Sequence, residues 1–519
     1  MPSGVKLPSV HQVLELAAHF GMEMTAEEAE TYRALMQGPA NAYRRVEELS
    51  QSRMPEHRYP RTAGYRPAAA ENPYNGWYFK TDIAGADKGL LKGYPVAVKD
   101  AICVAGVPMM AGSRILQGFV PNIDATVVTR LLDAGATIAG KANCEDMSFS
   151  GSGHTCASGP VRNPHKPSHS PGGSSNGSAV VIAAGDVDLA LGGDQGGSIR
   201  IPASWSGIAG LKPSYGLVPY TGAMTMEMTL DHIGPMARNV EGCARLLSVL
   251  AGQDPMDPRQ RGVIPADLDR DYLSAIGQGL NGARIALVRE GFELAPRDDL
   301  GLPGGEAVVD NKVKAAVKEL EKRGASVTEV SIPMHPDGVA IWLAIHLEGP
   351  AAIINSNGMG SNWAGLYNTS LYTAMARGMR AHIDDLSHTV KTVLLLSEHM
   401  RRQYHGAYYA MAQNLRGALR RTYDDVLASY DVLVMPTVPF RATPLPAEDC
   451  SIEDYVAFGL NMIHNTGQFD VTGHPAISVP CGMEDGLPIG MMIVGKHFDD
   501  NTVIRVADAF EKIGNWQEM

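Results

Sequence analysis

The chain is expected to adopt an α/β fold: one large, mixed, twisted sheet flanked by helices, with an N-terminal helical unit and a small inserted subdomain. Three observations predict it. From about residue 90 onward, short apolar runs of strand length alternate with segments of helical period. Residues 1–80 carry helical period alone before a Pro-rich stretch. Between 261 and 385 a strand, a helix and a second strand follow an Asp- and Pro-rich boundary.

Taken in order, Val13, Leu14, Ala17 and Phe20 mark a first helix. Thr25 and Glu28 form a capping box opening a second through Met36, and Tyr43, Val46 and Leu49 mark a third. Residues 58–75, rich in Pro, Ala and polar side chains, read as a linker. Tyr94–Lys99 reads as a strand, Ala125–Ala134 as a helix and Ala136–Gly140 as the next strand. The Gly- and Ser-rich stretch 150–216 is too interleaved with apolar segments to be a flexible linker. Ala283–Arg289 and Ser326–Ile332 read as strands around a helix capped by Asp310. Helices dominate 370–430, and Asp431–Met435, Ala476–Pro480 and Gly490–Val494 return to buried-strand character. These signals divide the chain into a helical unit at 1–80, a first core part at 81–260, the inserted subdomain at 261–385 and a second core part at 386–519.

Composition narrows the function. Of 519 residues, 45% are hydrophobic and 19% charged, enough for a large core. The net charge of −12 and the absence of basic runs argue against a nucleic-acid partner. The start of the chain lacks a secretory leader's pattern, and apolar runs such as Ala179–Ala184 fall far short of a membrane span. Six scattered cysteines without a metal-ligand spacing suggest free thiols in the cytoplasm and no metal. Gly277, Gly279 and Gly282 satisfy a dinucleotide-binding spacing but precede a strand instead of following one, so no nucleotide role is assigned.

Three stretches carry chemistry: Lys99 at a buried strand end, SPGGSSNGSA at 170–179, and GGDQGGSIRIP at 192–202. A serine hydroxyl needs a base to become a nucleophile, and a lysine serves only when burial disfavours its ammonium. A second serine between them can relay the proton. The backbone N–H groups of Gln195, Gly196, Gly197 and Ser198 suit a developing oxyanion, because glycine lets the chain curl around a small anion. Taken singly, a strand-end lysine is usually a snorkelling surface residue and a GGS run a turn. Their co-occurrence in this order is far more specific.

These stretches resemble the amidase signature family. So do PVAVKD upstream, GIAGLKPSYGLVP directly after, and DVLVMPTVP and DVTGHPAISVPCG downstream. The resemblance runs from about 90 to 519, interrupted at 260–380, and is closest to broad-spectrum bacterial amidases of the nitrile-degradation type. It implies the amidase-signature fold and a Ser–cis-Ser–Lys triad in which Lys99 is the base, Ser174 the cis-serine after Gly173, and Ser198 the nucleophile. Ser175 is expected to support the network, and Arg200 either to pair with Asp194 and hold the oxyanion loop or to serve as a plain surface residue. Two departures bear on positioning. Asn176 replaces the family's usual glycine and is expected to tolerate a left-handed backbone, and Ala101 stands where Asn is common.

The expected activity is hydrolysis of a neutral small-molecule carboxylic amide, aryl or anilide in character, without metal or organic cofactor. Stretches 143–160 and 216–232 contain no Lys or Arg but offer Met147, Phe149, Tyr220 and Met224 as pocket candidates. A glutaminase-type component of a tRNA-dependent amidotransferase is the rival within the family, and a non-catalytic binding protein on the same scaffold the rival outside it. The apolar stripes of the helical extension suggest a homodimer.

Overall fold

The computed structural model describes residues 4–50, 54–62 and 64–519. Residues 1–3 and position 63 of the expected linker lie outside that set. Two compact units emerge, Met1–Glu56 and His57–Met519. The helical unit therefore closes before residue 80, because Trp77–Ala84 already pairs into the sheet of the larger unit.

The first unit holds α1 (Val10–His19), α2 (Ala26–Leu35) and α3 (Gln37–Ser50). Capping boxes from Ser9 to Gln12 and from Thr25 to Glu28 satisfy the free N–H groups at the first two helix starts. Arg33 and Arg44 tie the lead-in stretch of chain to the bundle by donating to the carbonyls of Pro8 and Val5, each at 2.8 Å.

The second unit is built on one eleven-stranded sheet. Its strands are β1 (Trp77–Ala84), β2 (Pro95–Lys99), β3 (Thr137–Ala142), β4 (Leu189–Asp194), β5 (Ala209–Lys212), β6 (His232–Ala237), β7 (Arg284–Val288), β8 (Ser326–Val330), β9 (Val432–Pro436), β10 (Ala476–Glu484) and β11 (Leu487–Gly495). They lie in the order β1-β3-β2-β4-β6-β5-β10-β11-β9-β7-β8. Parallel pairing joins β3, β2 and β4 on one side and β9, β7 and β8 on the other, antiparallel pairs fill the middle, and β1 lies antiparallel to β3 at the edge. Central strands are apolar on both faces, as in Val96–Val98 and Val432–Met435, because helices cover both sides.

The expected inserted subdomain is instead the edge of this sheet. Strand β7 pairs directly with β9, so its strand–helix–strand unit continues the parent core. Its helix begins at Ala307 after Glu306, and Asp310 accepts the N–H of Glu293 instead of capping.

The covering helices are α4 (Thr126–Asp133), α5 (Asn176–Ala183), α6 (Arg200–Ser206), α7 (Val240–Leu250), α8 (Ala307–Lys322), α9 (Asp337–Asn355), α10 (Thr369–His382), α11 (His388–Tyr404), α12 (Ala407–Leu427), α13 (Ile452–Leu460), α14 (Gly467–Thr472) and α15 (Asp500–Glu511). Helix α9 is long and apolar enough to cross a membrane by length and composition, yet it packs on α11, α12 and α14 with most of its apolar side chains buried. It is a core helix.

Candidate active site

Lys99 closes β2, held between β3 and β4 behind the fully buried Val96, Ala97 and Val98. Its Nζ lies 2.8 Å from Ser174 Oγ and 3.4 Å from the carbonyl of Gly193. Burial lowers its pKa to about 8, outweighing the opposing pull of Cys144, Asp194 and Glu145. The serine is equally buried. It sits in a tight passage: Gly172 has φ +79°, and a Cβ there would fall 2.6 Å from Pro202 Cα. The Gly173–Ser174 peptide bond is cis.

Beneath this loop lies Glu145, fully buried and bonded to Thr155 Oγ1 at 2.7 Å and to Asn176 Nδ2. Asn176 is the first residue of α5 and is not left-handed, contrary to the sequence expectation. Its side chain accounts for its presence: Nδ2 holds Glu145 while Oδ1 accepts the N–H of Gly177 at 2.7 Å. Ser175 ties the loop to β4 through a reciprocal pair with Gly193, its Oγ donating to the carbonyl and accepting the N–H, both at 3.1 Å.

The turn after β4 is pinned from both sides. Asp194 accepts from the N–H groups of Gly197 (2.5 Å) and Ile199 (3.1 Å) and from Arg200 Nε and Nη2 (3.0 and 3.1 Å). Burial pushes its carboxyl up, but the Arg200 guanidinium prevails and holds it well below the usual carboxylate range. Arg200 Nη2 also donates to Asp470 at 2.7 Å, so one buried cation bridges two buried carboxylates. On the outer side, Trp342 Nε1 donates to the carbonyl of Gln195 (2.7 Å) and Thr466 Oγ1 to that of Gly196 (2.6 Å).

With these carbonyls held outward, the N–H groups of Gln195, Gly196 and Ser198 have no acceptor among the described residues. Gly197 departs from the sequence expectation. Its N–H is spent on Asp194, which removes it from the set of free oxyanion donors.

Glycine is required at this turn. A Cβ on Gly196 would fall 2.3 Å from Trp342 Cζ2, and Gly197, at φ +130°, would meet Thr466 Oγ1 at 2.5 Å. Gly196→Ala is expected to displace the turn and lower kcat by roughly 100-fold or more, the cost of a lost oxyanion donor. Steady-state kinetics beside a thermal melt would check it: a variant with wild-type kcat would mean the turn carries no catalytic donor.

Ser198 is half-buried, and its carbonyl accepts the N–H of Ser175 at 3.2 Å. No hydrogen bond joins its Oγ to Ser174 among the described residues. It opens onto a cleft whose walls include Phe149, Ile201, Trp342, His346, Met462 and Ile463. Trp342 and His346 stack at 4.3 Å with a 15° interplanar angle, and burial lowers the His346 pKa to about 4, so the ring is neutral. Among the described residues, neither Lys nor Arg lines the cleft.

Of the four pocket candidates only Phe149 lines this cleft. Met147 and Met224 pack into a neighbouring apolar cluster with Ala101, Met109 and Met226. Tyr220 stands behind Gln195: its hydroxyl accepts from Gln195 Nε2 and donates to the Met224 carbonyl, both at 3.1 Å, with Arg259 over its ring at 4.7 Å. Trp342, His346, Thr466, Asp470 and Glu145 were not foreseen. The stretch HNTGQFDVTGHP held the signal for Thr466 and Asp470: a mostly polar segment that runs directly into the buried-strand character of Ala476–Pro480.

Residues 78–504 match the Amidase family. The chain is 44% identical to an enantioselective amidase of Rhodococcus rhodochrous, over 99% of this chain and 97% of that protein. Among solved structures, a peptide amidase from Stenotrophomonas maltophilia superposes with a TM-score of 0.66 at 32% identity, covering 82% of this chain and 83% of that one. A glutamyl-tRNA(Gln) amidotransferase component from Thermotoga maritima gives 0.68 at 32% identity, covering 85% and 88%. By sequence along nearly its whole length and by the architecture around the Gly- and Ser-rich turns, this chain belongs to the amidase signature family.

Proposed function

We propose that this amidase hydrolyses neutral carboxylic amides, of aryl or anilide character, through an acyl-enzyme on Ser198. The carrying observation is a fully buried amine, with its pKa near 8, on a serine hydroxyl beside a half-buried serine and three unspent N–H donors. Ser198 Oγ attacks the amide carbonyl while its proton passes to Ser174 and from there to Lys99. The relay needs Ser198 Oγ to turn toward Ser174 once substrate is bound, a tightening common when a free site fills. The oxyanion rests on the N–H groups of Gln195, Gly196 and Ser198. The proton returns through Ser174 to the departing nitrogen, and water, activated by the same pair, releases the acid.

A cleft of mainly apolar surface, with no Lys or Arg among the described residues that line it, supports a neutral substrate, since a buried anion would need a partner. The amidotransferase reading is less well supported: the Rhodococcus amidase aligns over 99% of this chain, N-terminal unit included, against 85% for the solved Thermotoga amidotransferase component. Fluorophosphonate labelling with peptide mapping, beside a panel of benzamide, anilides, glutamine and malonamate, tests the proposal. A label on Ser198 and preference for benzamide or anilides are expected. A hundredfold preference for glutamine or malonamate would sink the substrate assignment.

The N-terminal unit is proposed to join two copies. Its surface carries Phe20 at 71%, Leu35 at 69%, Tyr43 at 65% and Val46 at 61% exposure, an apolar density that a lone chain seldom leaves in water. Deleting residues 1–56 is expected to halve the particle mass in light scattering; an unchanged mass would refute the pairing. Six free cysteines, five of them buried, are consistent with a reducing cytoplasm.

A further inference from the structure

We propose that Asp424, His474 and His497 form a site for a divalent transition metal of the zinc class, separate from the Ser198 cleft. Three elements bring these side chains together. Asp424 lies near the end of α12, His474 in the link from α14 to β10, and His497 just past β11. One potential ligand atom from each lies within 4.8 Å of the others. Zinc–ligand distances of about 2.0–2.2 Å place neighbouring tetrahedral ligands roughly 3.3–3.6 Å apart, so ligation requires the three atoms to draw together by at most about 1.5 Å. Two imidazoles and one carboxylate are a ligand set suited to zinc, with a fourth position left for water.

The surroundings fit such a site. His474 Nδ1 is bonded to Thr472 Oγ1 at 2.9 Å, while Nε2 faces Asp424 Oδ1 at 3.0 Å. A partner on one ring nitrogen that orients the other toward the metal is the usual arrangement around a ligating histidine. Arg420 Nε holds the other carboxylate oxygen of Asp424 at 3.3 Å, and Lys212 Nζ anchors the His474 carbonyl at 2.6 Å. The His497 ring lies 4.2 Å from that of His474, and its Nε2 is buried without a hydrogen-bond partner among the described residues. None of the three residues lines the Ser198 cleft.

The test uses the full chain, stripped by a chelator and titrated with Zn²⁺ against a chromophoric competitor, then with Co²⁺ followed by its visible spectrum. One equivalent of Zn²⁺ is expected to bind with micromolar or tighter affinity, to raise Tm by several degrees, and to give a tetrahedral Co²⁺ band. His497→Ala and Asp424→Asn should each weaken that equivalent by about tenfold or more, abolish the Tm shift, and leave kcat unchanged. Asp424 is partly exposed, so its variant retains the fold should His497→Ala fail to. The absence of a saturable equivalent, or one that both variants retain at wild-type affinity, would overturn the site and leave only a hydrogen-bonded cluster.

Discussion

A Ser198→Ala enzyme is expected to lose at least about 10⁵-fold in kcat while melting at the wild-type temperature. Removing a nucleophile eliminates the acyl-enzyme route and leaves only what binding and oxyanion donors contribute. The stability half rests on the side chain's surroundings. Ser198 is half-buried and its Oγ makes no hydrogen bond among the described residues, so the truncation leaves no buried partner unsatisfied and should cost under about 0.5 kcal/mol. Ser174→Ala differs on both counts. Its Oγ is fully buried against Lys99 Nζ, so the variant should melt lower, yet keep a trace of turnover because nucleophile and donors remain. Single-turnover kinetics, a thermal melt and fluorophosphonate labelling separate the two. Ser174→Ala should label slowly at Ser198 and Ser198→Ala not at all; a label mapped to Ser174 would reverse the assignment.

The sequence disclosed what local pattern controls. The strand ending in Lys99 was readable because Val96, Ala97 and Val98 form an uninterrupted apolar run, and the Gly- and Ser-rich turns because so much glycine inside a packed segment demands unusual backbone. The stack of Trp342 on His346 was not readable. Helix α9 is apolar around most of its surface, so its period points to no face, and nothing local indicates that Trp342 reaches the carbonyl of Gln195, 147 positions away. The same limit explains the misplaced subdomain. An Asp- and Pro-rich boundary looks alike whether the next strand begins a new sheet or joins an old one, and only the pairing of β7 with β9 decides. For Gly197 the limit is similar: composition marks a turn rich in N–H donors but not which of them a neighbouring Asp194 takes.

Lys99→Ala, Lys99→Arg and Lys99→Met should each cost at least about a thousandfold in kcat, since neither serine then has a base. Arginine tests the proton directly, because a guanidinium stays protonated and cannot accept one. For the wild type, a base with pKa about 8 predicts a rate that rises about tenfold per pH unit below 8 and levels above it. Stability should move independently of the rate. The folded pKa of about 8 lies below the ordinary value of 10.5, so the unfolded chain binds more protons between them and folding gains stability as pH rises through that window. At neutral pH the buried ammonium therefore costs the fold about 3 kcal/mol, from 1.36 kcal/mol per pH unit. Lys99→Met should accordingly be inactive; it sheds that cost but leaves Ser174 Oγ buried without its partner, an offset of about 1–3 kcal/mol, so the expected signature is a stability that falls relative to the wild type between pH 8 and 10.5. Chemical denaturation across that range, beside kcat on a benzamide, checks both halves. A Lys99→Met enzyme keeping about a tenth of wild-type activity, or a wild-type rate flat from about pH 6 to 9, would remove Lys99 as the base.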